Sequence, residues 1–286
     1  MPSSVHAQSV PRVLAVAGTD PTGGAGTSAD CKAITAAGGY AMNAVTCLVA
    51  QNTTGLRAVH VPPVAFLEGQ LRAVSEDVTI DAVKLGMLGT RDIITTVARW
   101  LDEQAPAILI IDPVMVSTSG DRLLAPDAEA ALRRLCRRRA IVTPNIPELA
   151  ALTGEPLARS EGEAVEQAMR WSTRTGTQVV VKTGHLDGQD VANILVGPGG
   201  VLARSAAPRV RTTATHGTGC SLASALATRL AAGQEPEAAL AWVTAWLHEA
   251  VAHGEALKVG RGNGPIDHAH RLRRAIDAPS AVEVQA

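Results

Sequence analysis

Short apolar runs alternate with amphipathic stretches along most of the chain. Residues 13–17 form an uninterrupted apolar run that breaks at a glycine-rich loop, and 27–37 then reads as a helix closed by Gly38 and Gly39. A second strand over 41–49 runs into Gln51-Asn52-Thr53-Thr54-Gly55, and 62–75 reads as a helix with Pro near its start. Residues 82–85 make a short strand ending at Gly86-Met87, after which Thr90 caps a helix carrying Ile93, Ile94, Val97 and Trp100 at helical spacing. The apolar strand 107–111 ends on Asp112-Pro113, and Pro126 opens a helix through Cys136. Ile141-Val142 is a strand, followed by Asn145 to Glu148 and a short helix to Thr153. Ser160 and Glu163 form a capping box for a helix to about Trp171. Residues 178–182 read as a strand, and 191–196 with 201–205 as a hairpin joined by Gly-Pro-Gly-Gly. Two long helices follow, about 218–232 and 236–253, the second with one apolar stripe that includes Val243, Trp246 and Ala250.

Strand–helix repetition with short all-apolar strands predicts an α/β fold: a mostly parallel sheet covered by helices on both faces. The 286 residues show no biased linker and no internal repeat, so the expectation is one domain. Its core spans about 12–275, with 1–11 and 277–286 flexible.

Composition narrows the function classes. Hydrophobic residues are 46% and aromatics only 2%, so the core is aliphatic and few rings are available to stack on single-stranded nucleic acid. A formal net charge of −1 provides no basic field for phosphodiester polymers. The four cysteines, Cys31, Cys47, Cys136 and Cys220, have neither disulfide-framework nor zinc-site spacing, which fits a reduced setting. No apolar run has the length of a membrane span, and residues 1–12 lack the apolar core of a signal peptide. The expectation is a soluble, cytoplasmic protein.

Chemistry gathers where strands end. Gly217-Thr218-Gly219 leads into the helix from 218, so free backbone N–H groups, the helix dipole and small residues coincide there. That is a recipe for an anion cradle, and equally for a plain glycine turn. Gly18, Asp20 and Gly23 to Gly26 follow the first strand, with Asp30 further along. The loop has neither the downstream acidic residue of a dinucleotide fold nor the Gly-Lys-Ser/Thr of a Walker motif. Asp112 after five apolar residues and Lys182 after three valines are costly places for charge unless something binds them.

Six blocks in register resemble the bacterial hydroxymethylpyrimidine/phosphomethylpyrimidine kinases of thiamin biosynthesis, members of the ribokinase-like superfamily. They are Gly18-Thr19-Asp20-Pro21-Thr22-Gly23-Gly24-Ala25-Gly26, Val49-Ala50-Gln51-Asn52-Thr53, Lys84-Leu85-Gly86-Met87, Asp112-Pro113-Val114-Met115, Thr143-Pro144-Asn145-x-x-Glu148 and His216-Gly217-Thr218-Gly219-Cys220. Gly260-Arg261-Gly262-Asn263-Gly264-Pro265 extends the likeness to nearly the whole chain.

The resemblance implies a three-layer α/β/α fold and transfer of the ATP γ-phosphoryl to a hydroxymethylpyrimidine, then to its monophosphate. It makes Gly217, Thr218 and Gly219 the anion hole and Cys220 the expected base, where most ribokinase-like sugar kinases carry Asp. A helix N-terminus can lower a thiol pKa; the alternative is that Cys220 only shapes the pocket. It further implies Glu148 acting on Mg2+ through water, Asp112 near metal and phosphates, and Asn145 and Lys182 near the nucleotide. Thr183 replaces the family's glycine after that lysine. For the acceptor it implies Gln51, whose carboxamide complements an aminopyrimidine edge, together with Gly18, Asp30, Met87 and Val114. Helix capping is the bland alternative for Glu148, and core packing for Met87. A homodimer, and a closing loop over 116–121 hinged at Gly120, are further expectations. Pyridoxal kinase, a non-catalytic vitamin or nucleotide sensor, and a dehydrogenase are the competing readings.

Overall fold

The computed structural model describes residues 10–115 and 123–277. In chain order the elements are β1 (Arg12–Ala17), α1 (Gly26–Ala36), β2 (Tyr40–Val45), β3 (Leu48–Asn52), β4 (Gly55–His60), α2 (Val64–Ser75), β5 (Ala82–Leu85), α3 (Arg91–Gln104), β6 (Leu109–Ile111) and α4 (Glu129–Leu135). They continue with β7 (Ile141–Val142), α5 (Ile146–Thr153), α6 (Glu161–Thr175), β8 (Gln178–Lys182), β9 (Asp190–Gly197), β10 (Gly200–Pro208), α7 (Thr218–Ala231), α8 (Pro236–Ala252) and α9 (His270–Asp277). Eight strands form one sheet in the order β10-β9-β8-β7-β6-β5-β1-β2. All run the same way except β9, which is antiparallel to both neighbours.

The side-chain period of a strand builds the layers. Leu14, Val16, Val83, Leu85 and Ile111 face α2 to α6, while Val13, Ala15, Ala82 and Ile110 face α1, α7 and α8. β1, β5 and β6 are therefore buried on both faces, which explains their unbroken apolar runs. Within the second layer Trp246 is 1% exposed and stacks on Trp242 at 6.0 Å.

Several boundaries differ from the sequence reading. The apolar run 41–49 is two strands, because the chain turns at Thr46-Cys47 and leaves the main sheet. β3 then pairs antiparallel with β4, for which the sequence pattern predicts no element, in a separate two-stranded ribbon. Every residue of β4 is at least partly exposed, so it carries no alternating apolar signal. Pro126 starts a 3-10 turn before α4 rather than the helix itself. At α6 Ser160 accepts from the Glu163 N–H, but the Glu163 carboxylate takes the Arg159 N–H, one residue outside a capping box. The expectations for 116–121, 1–9 and 278–286 lie outside the described residues.

Candidate active site

A cavity of about 490 Å³ opens beyond the carboxyl ends of β1, β5, β6, β7 and β8, walled by the β3–β4 ribbon and the first turn of α7. Ligand sites in open α/β sheets form at this edge. Gly18, Gln51, Met87, Val114, Asp112, Asn145, Glu148, Lys182 and all of Gly217, Thr218, Gly219 and Cys220 line it.

The glycines are there because backbone and side chains crowd. Gly217 has φ +84, and a Cβ on it would overlap the Gly24 carbonyl oxygen. A Cβ on Gly18 would stand 2.6 Å from Cys47 Sγ and 3.3 Å from Met87 Sδ. At Gly219 it would lie 3.2 Å from Lys182 Nζ and 3.5 Å from Asp112 Oδ2. A bare first turn of α7 thus faces the Lys182–Asp112 pair. The N–H groups of that turn have no intrahelical acceptor.

Asp112 and Lys182 form an ion pair of 2.9 Å, with Thr143 Oγ1 donating to the same carboxylate oxygen at 3.1 Å. Asn145 and Glu148 make a complete capping box on α5: Asn145 Oδ1 accepts from Glu148 N, and Glu148 Oε2 from Asn145 N, each at 2.9 Å. Burial pushes the Glu148 carboxyl up to about 7, against the pull of Lys182 and with the repulsion of Asp112. Cys220 is partly open to the cavity. Its surroundings nonetheless push the thiol up to about 11, burial outweighing the nearby charge of Lys84 and a hydrogen bond from Gly26 N–H. Burial thus sets the direction here, upward, against the lowering that a helix N-terminus can give.

One expected lining residue is elsewhere. Among the described residues that line the cavity, Asp30 is absent; it lies beneath the floor, 0% exposed. Its Oδ1 accepts from Lys84 Nζ at 2.6 Å and Ser224 Oγ at 2.8 Å, and its Oδ2 is buried without a partner among the described residues. The reason is helical phase: Asp30 falls on the inward face of α1, toward Ser224 of α7 and Lys84 of β5. Lys84 is itself 0% exposed. Burial opposes its charge, and Asp30 holds it above the ordinary lysine range.

Sequence reasoning passed over other members. His216 Nε2 lies 2.8 Å from Asp20 Oδ2, which also accepts from Ala25 N–H at 2.8 Å. Burial works against the Asp20 anion, but hydrogen bonds from His216, Thr22 and Gln51 hold its carboxyl far below the usual range. Lys84 and His216 both stood within quoted blocks, so a buried-charge argument like that made for Lys182 was available for Lys84. The far end of the cavity, with Pro208, Val210, Leu247, His248 and Val251, comes from the end of β10 and from α8 and carried no local motif.

A family model described as phosphomethylpyrimidine kinase matches residues 20–267. The chain belongs to the phosphomethylpyrimidine kinase family. It is 42% identical over 258 residues to the hydroxymethylpyrimidine/phosphomethylpyrimidine kinase of Escherichia coli, covering 90% of this chain and 97% of that protein. It is 55% identical over 271 residues to the thiamine biosynthesis multifunctional protein ThiED of Corynebacterium efficiens, covering 94% of this chain. There it spans only 37% of the relative's length. Among solved structures, a Bacillus subtilis pyridoxal kinase in complex with ADP superposes with a TM-score of 0.83 at 29% identity, covering 93% of this chain and 99% of that one. A phosphomethylpyrimidine kinase from Clostridium difficile gives 0.73 at 34% identity, covering 84% and 99%. These neighbours share the ribokinase-like fold.

Proposed function

We propose that the chain is an ATP-dependent kinase of 4-amino-5-hydroxymethyl-2-methylpyrimidine and of its monophosphate, acting in thiamin biosynthesis. The observation that carries this reading is one cavity holding Gln51, the bare first turn of α7 and the Lys182–Asp112 pair. Phosphoryl transfer needs charge neutralisation and in-line positioning more than covalent chemistry.

In this reading the Gly217–Thr218–Gly219 backbone receives the transferring phosphoryl group, and Lys182 neutralises its charge. Gln51, with Gly18, Met87 and Val114, holds the pyrimidine so that its hydroxymethyl oxygen faces the cradle. The apolar far end receives the adenine of ATP, with Asn145 on the phosphate side. No group of three or more His, Cys, Asp or Glu is placed to hold a metal alone among the described residues. Two carboxylates nonetheless suit magnesium, which keeps waters and shares phosphate oxygens. Asp112 and Glu148 would hold it, Glu148 through water, and the ion would neutralise charge on the phosphates.

Cys220 stands beside the acceptor as a thiol. With burial pushing its pKa up, Cys220 stays protonated at neutral pH. A late transfer of the hydroxyl proton, driven by the forming O–P bond, therefore fits better than prior ionisation of Cys220.

Residues 12 to about 275 would act as one kinase domain, in the cytoplasm. A homodimer fits the β3–β4 ribbon, whose Leu48 and Val59 are 49% and 41% exposed. Pyridoxal kinase is the second reading, favoured by the high superposition on the Bacillus subtilis enzyme; its substrate also carries a hydroxymethyl arm on a flat heterocycle. ATP consumption with magnesium, measured on the pyrimidine, its monophosphate and pyridoxal, separates the readings. Turnover of both pyrimidines well above pyridoxal is expected, and Gln51→Glu should depress it far more than ATP binding. Preference for pyridoxal moves the acceptor to the second reading, and binding without turnover supports a sensor.

A further inference from the structure

Thr53 sits at the tip of the β3–β4 ribbon, two residues past Gln51. Its Oγ1 accepts from the backbone N–H of Arg261 at 3.2 Å and of Gly262 at 3.1 Å. Its carbonyl oxygen accepts from Asn263 N–H at 3.0 Å. Three consecutive amides of a segment some two hundred residues away thus close on one residue. The approach dictates the glycines opposite: a Cβ on Gly260 would overlap the Thr53 side chain, and one on Gly262 the Thr53 carbonyl.

The same strap continues to the other side of the cavity. The Gly264 carbonyl accepts from His216 N–H at 3.0 Å, and Pro265 forms a parallel bridge with His216. His216 reaches Asp20, whose carboxyl the Gln51 carboxamide helps to hold low. The neighbours lie in a ring: Gln51, Asp20, His216, residues 260–265, Thr53 and back to Gln51. The acceptor amide stands at one point of that ring, and the loop entering the phosphoryl cradle at another. Among the described residues that line the cavity, neither Thr53 nor 260–265 is present, so the strap bears on the cavity through its neighbours.

We propose that Thr53 is a positioning residue for phosphoryl transfer: by binding the 260–265 strap it fixes the Gln51 carboxamide relative to the cradle. The proposal rests on the kinase reading for what Gln51 and the cradle hold. A misplacement of about 1 Å between reacting groups can cost a hundredfold in rate, so a clasp outside the cavity can matter as much as a lining residue.

Thr53→Val keeps the shape of the side chain and removes the acceptor oxygen, Thr53→Ser restores the oxygen, and Gly262→Ala crowds the adjoining Thr53 carbonyl. Amide hydrogen exchange and steady-state kinetics with the hydroxymethylpyrimidine and ATP read the result. Thr53→Val should raise exchange at Arg261, Gly262 and His216 at least tenfold. It should lower kcat/KM for the pyrimidine tenfold or more and leave the KM for ATP within twofold. Thr53→Ser should recover most of both, and Gly262→Ala, which strikes the Thr53 carbonyl, should lower kcat/KM for the pyrimidine in the same way. Wild-type pyrimidine kinetics in Thr53→Val would overturn the proposal. So would equal loss toward ATP and pyrimidine with a lower melting temperature, or a Thr53→Ser no better than Thr53→Val. Should the wild type turn over no hydroxymethyl acceptor, the kinase reading falls. The strap is still decided by the His216 amide, whose unchanged protection in Thr53→Val would break the ring.

Discussion

At the scale of single residues, the cradle depends on what Gly217 and Gly219 lack. Gly217 combines a left-handed backbone with direct contact on Gly24, so any side chain there must move the whole loop. Gly217→Ala should reduce kcat at least a hundredfold and lower the melting temperature; near-normal kinetics would show that the loop can yield. Cys220 answers a different question. If it only shapes the acceptor side, as the proposed function has it, Cys220→Ser should leave kcat within about tenfold. A drop in the range of 10²–10⁴ would instead return it to the role of general base, since that is the span such a base supplies. Gln51, Asn145, Glu148 and the Gly-Thr-Gly run could be picked out because each belongs to a short local motif, and Lys182 because it puts a charge at the end of an apolar strand. Asp30 was misplaced because sequence shows its chemistry but not its helical phase. Its partner Lys84 lies 54 positions away on another element, a distance at which no periodicity speaks.

Among elements, α7 is braced as well as begun at its first turn. Ser221 Oγ donates to the Gly217 carbonyl at 2.7 Å and lies 2.8 Å from His268 Nε2, both residues buried. Burial, with the charge of Lys32 adding to it, pushes the His268 imidazole down to about 4. A histidine depressed in the folded state binds its proton more readily when unfolded. Its contribution to stability is therefore complete above about pH 6.5 and is lost as pH falls toward 4. The melting temperature of the wild type should drop through that window, and His268→Gln should flatten the drop, losing stability at pH 7 but little more at pH 5. Parallel curves would assign the acid sensitivity to other groups. The short apolar strands and capped helices α3 and α6 were legible for the reason they are stable: period and cap agree. β4 was not, because a ribbon packed on neither face of the main sheet has no apolar side to display.

For the molecule as a whole, the sheet gathers the cavity residues at one edge, and the 260–265 strap ties the β3–β4 ribbon to the loop before α7 there. The ribbon that carries Gln51 is held by that strap and pairs only with itself, leaving Leu48 and Val59 outward. A second copy covering it would steady the acceptor side. Sedimentation should report a dimer, and Leu48→Asp with Val59→Arg should give a monomer; a monomeric wild type would remove the dimer from the proposed function.

Below the cavity, the dehydrated pair of Lys84 and Asp30 has a consequence for how this sequence can change over time. Losing either partner alone strands a charge in a dry interior, at a cost of about 3–5 kcal/mol, against a total stability of about 5–15 kcal/mol. Replacing both by well-packed apolar side chains can be close to neutral. Positions 30 and 84 are therefore joined in descent as they are in space. A lineage that leaves this pairing must cross a valley of poorly folding intermediates or take both steps together, while the cavity above, made of separable contacts, remains free to drift toward other acceptors one residue at a time.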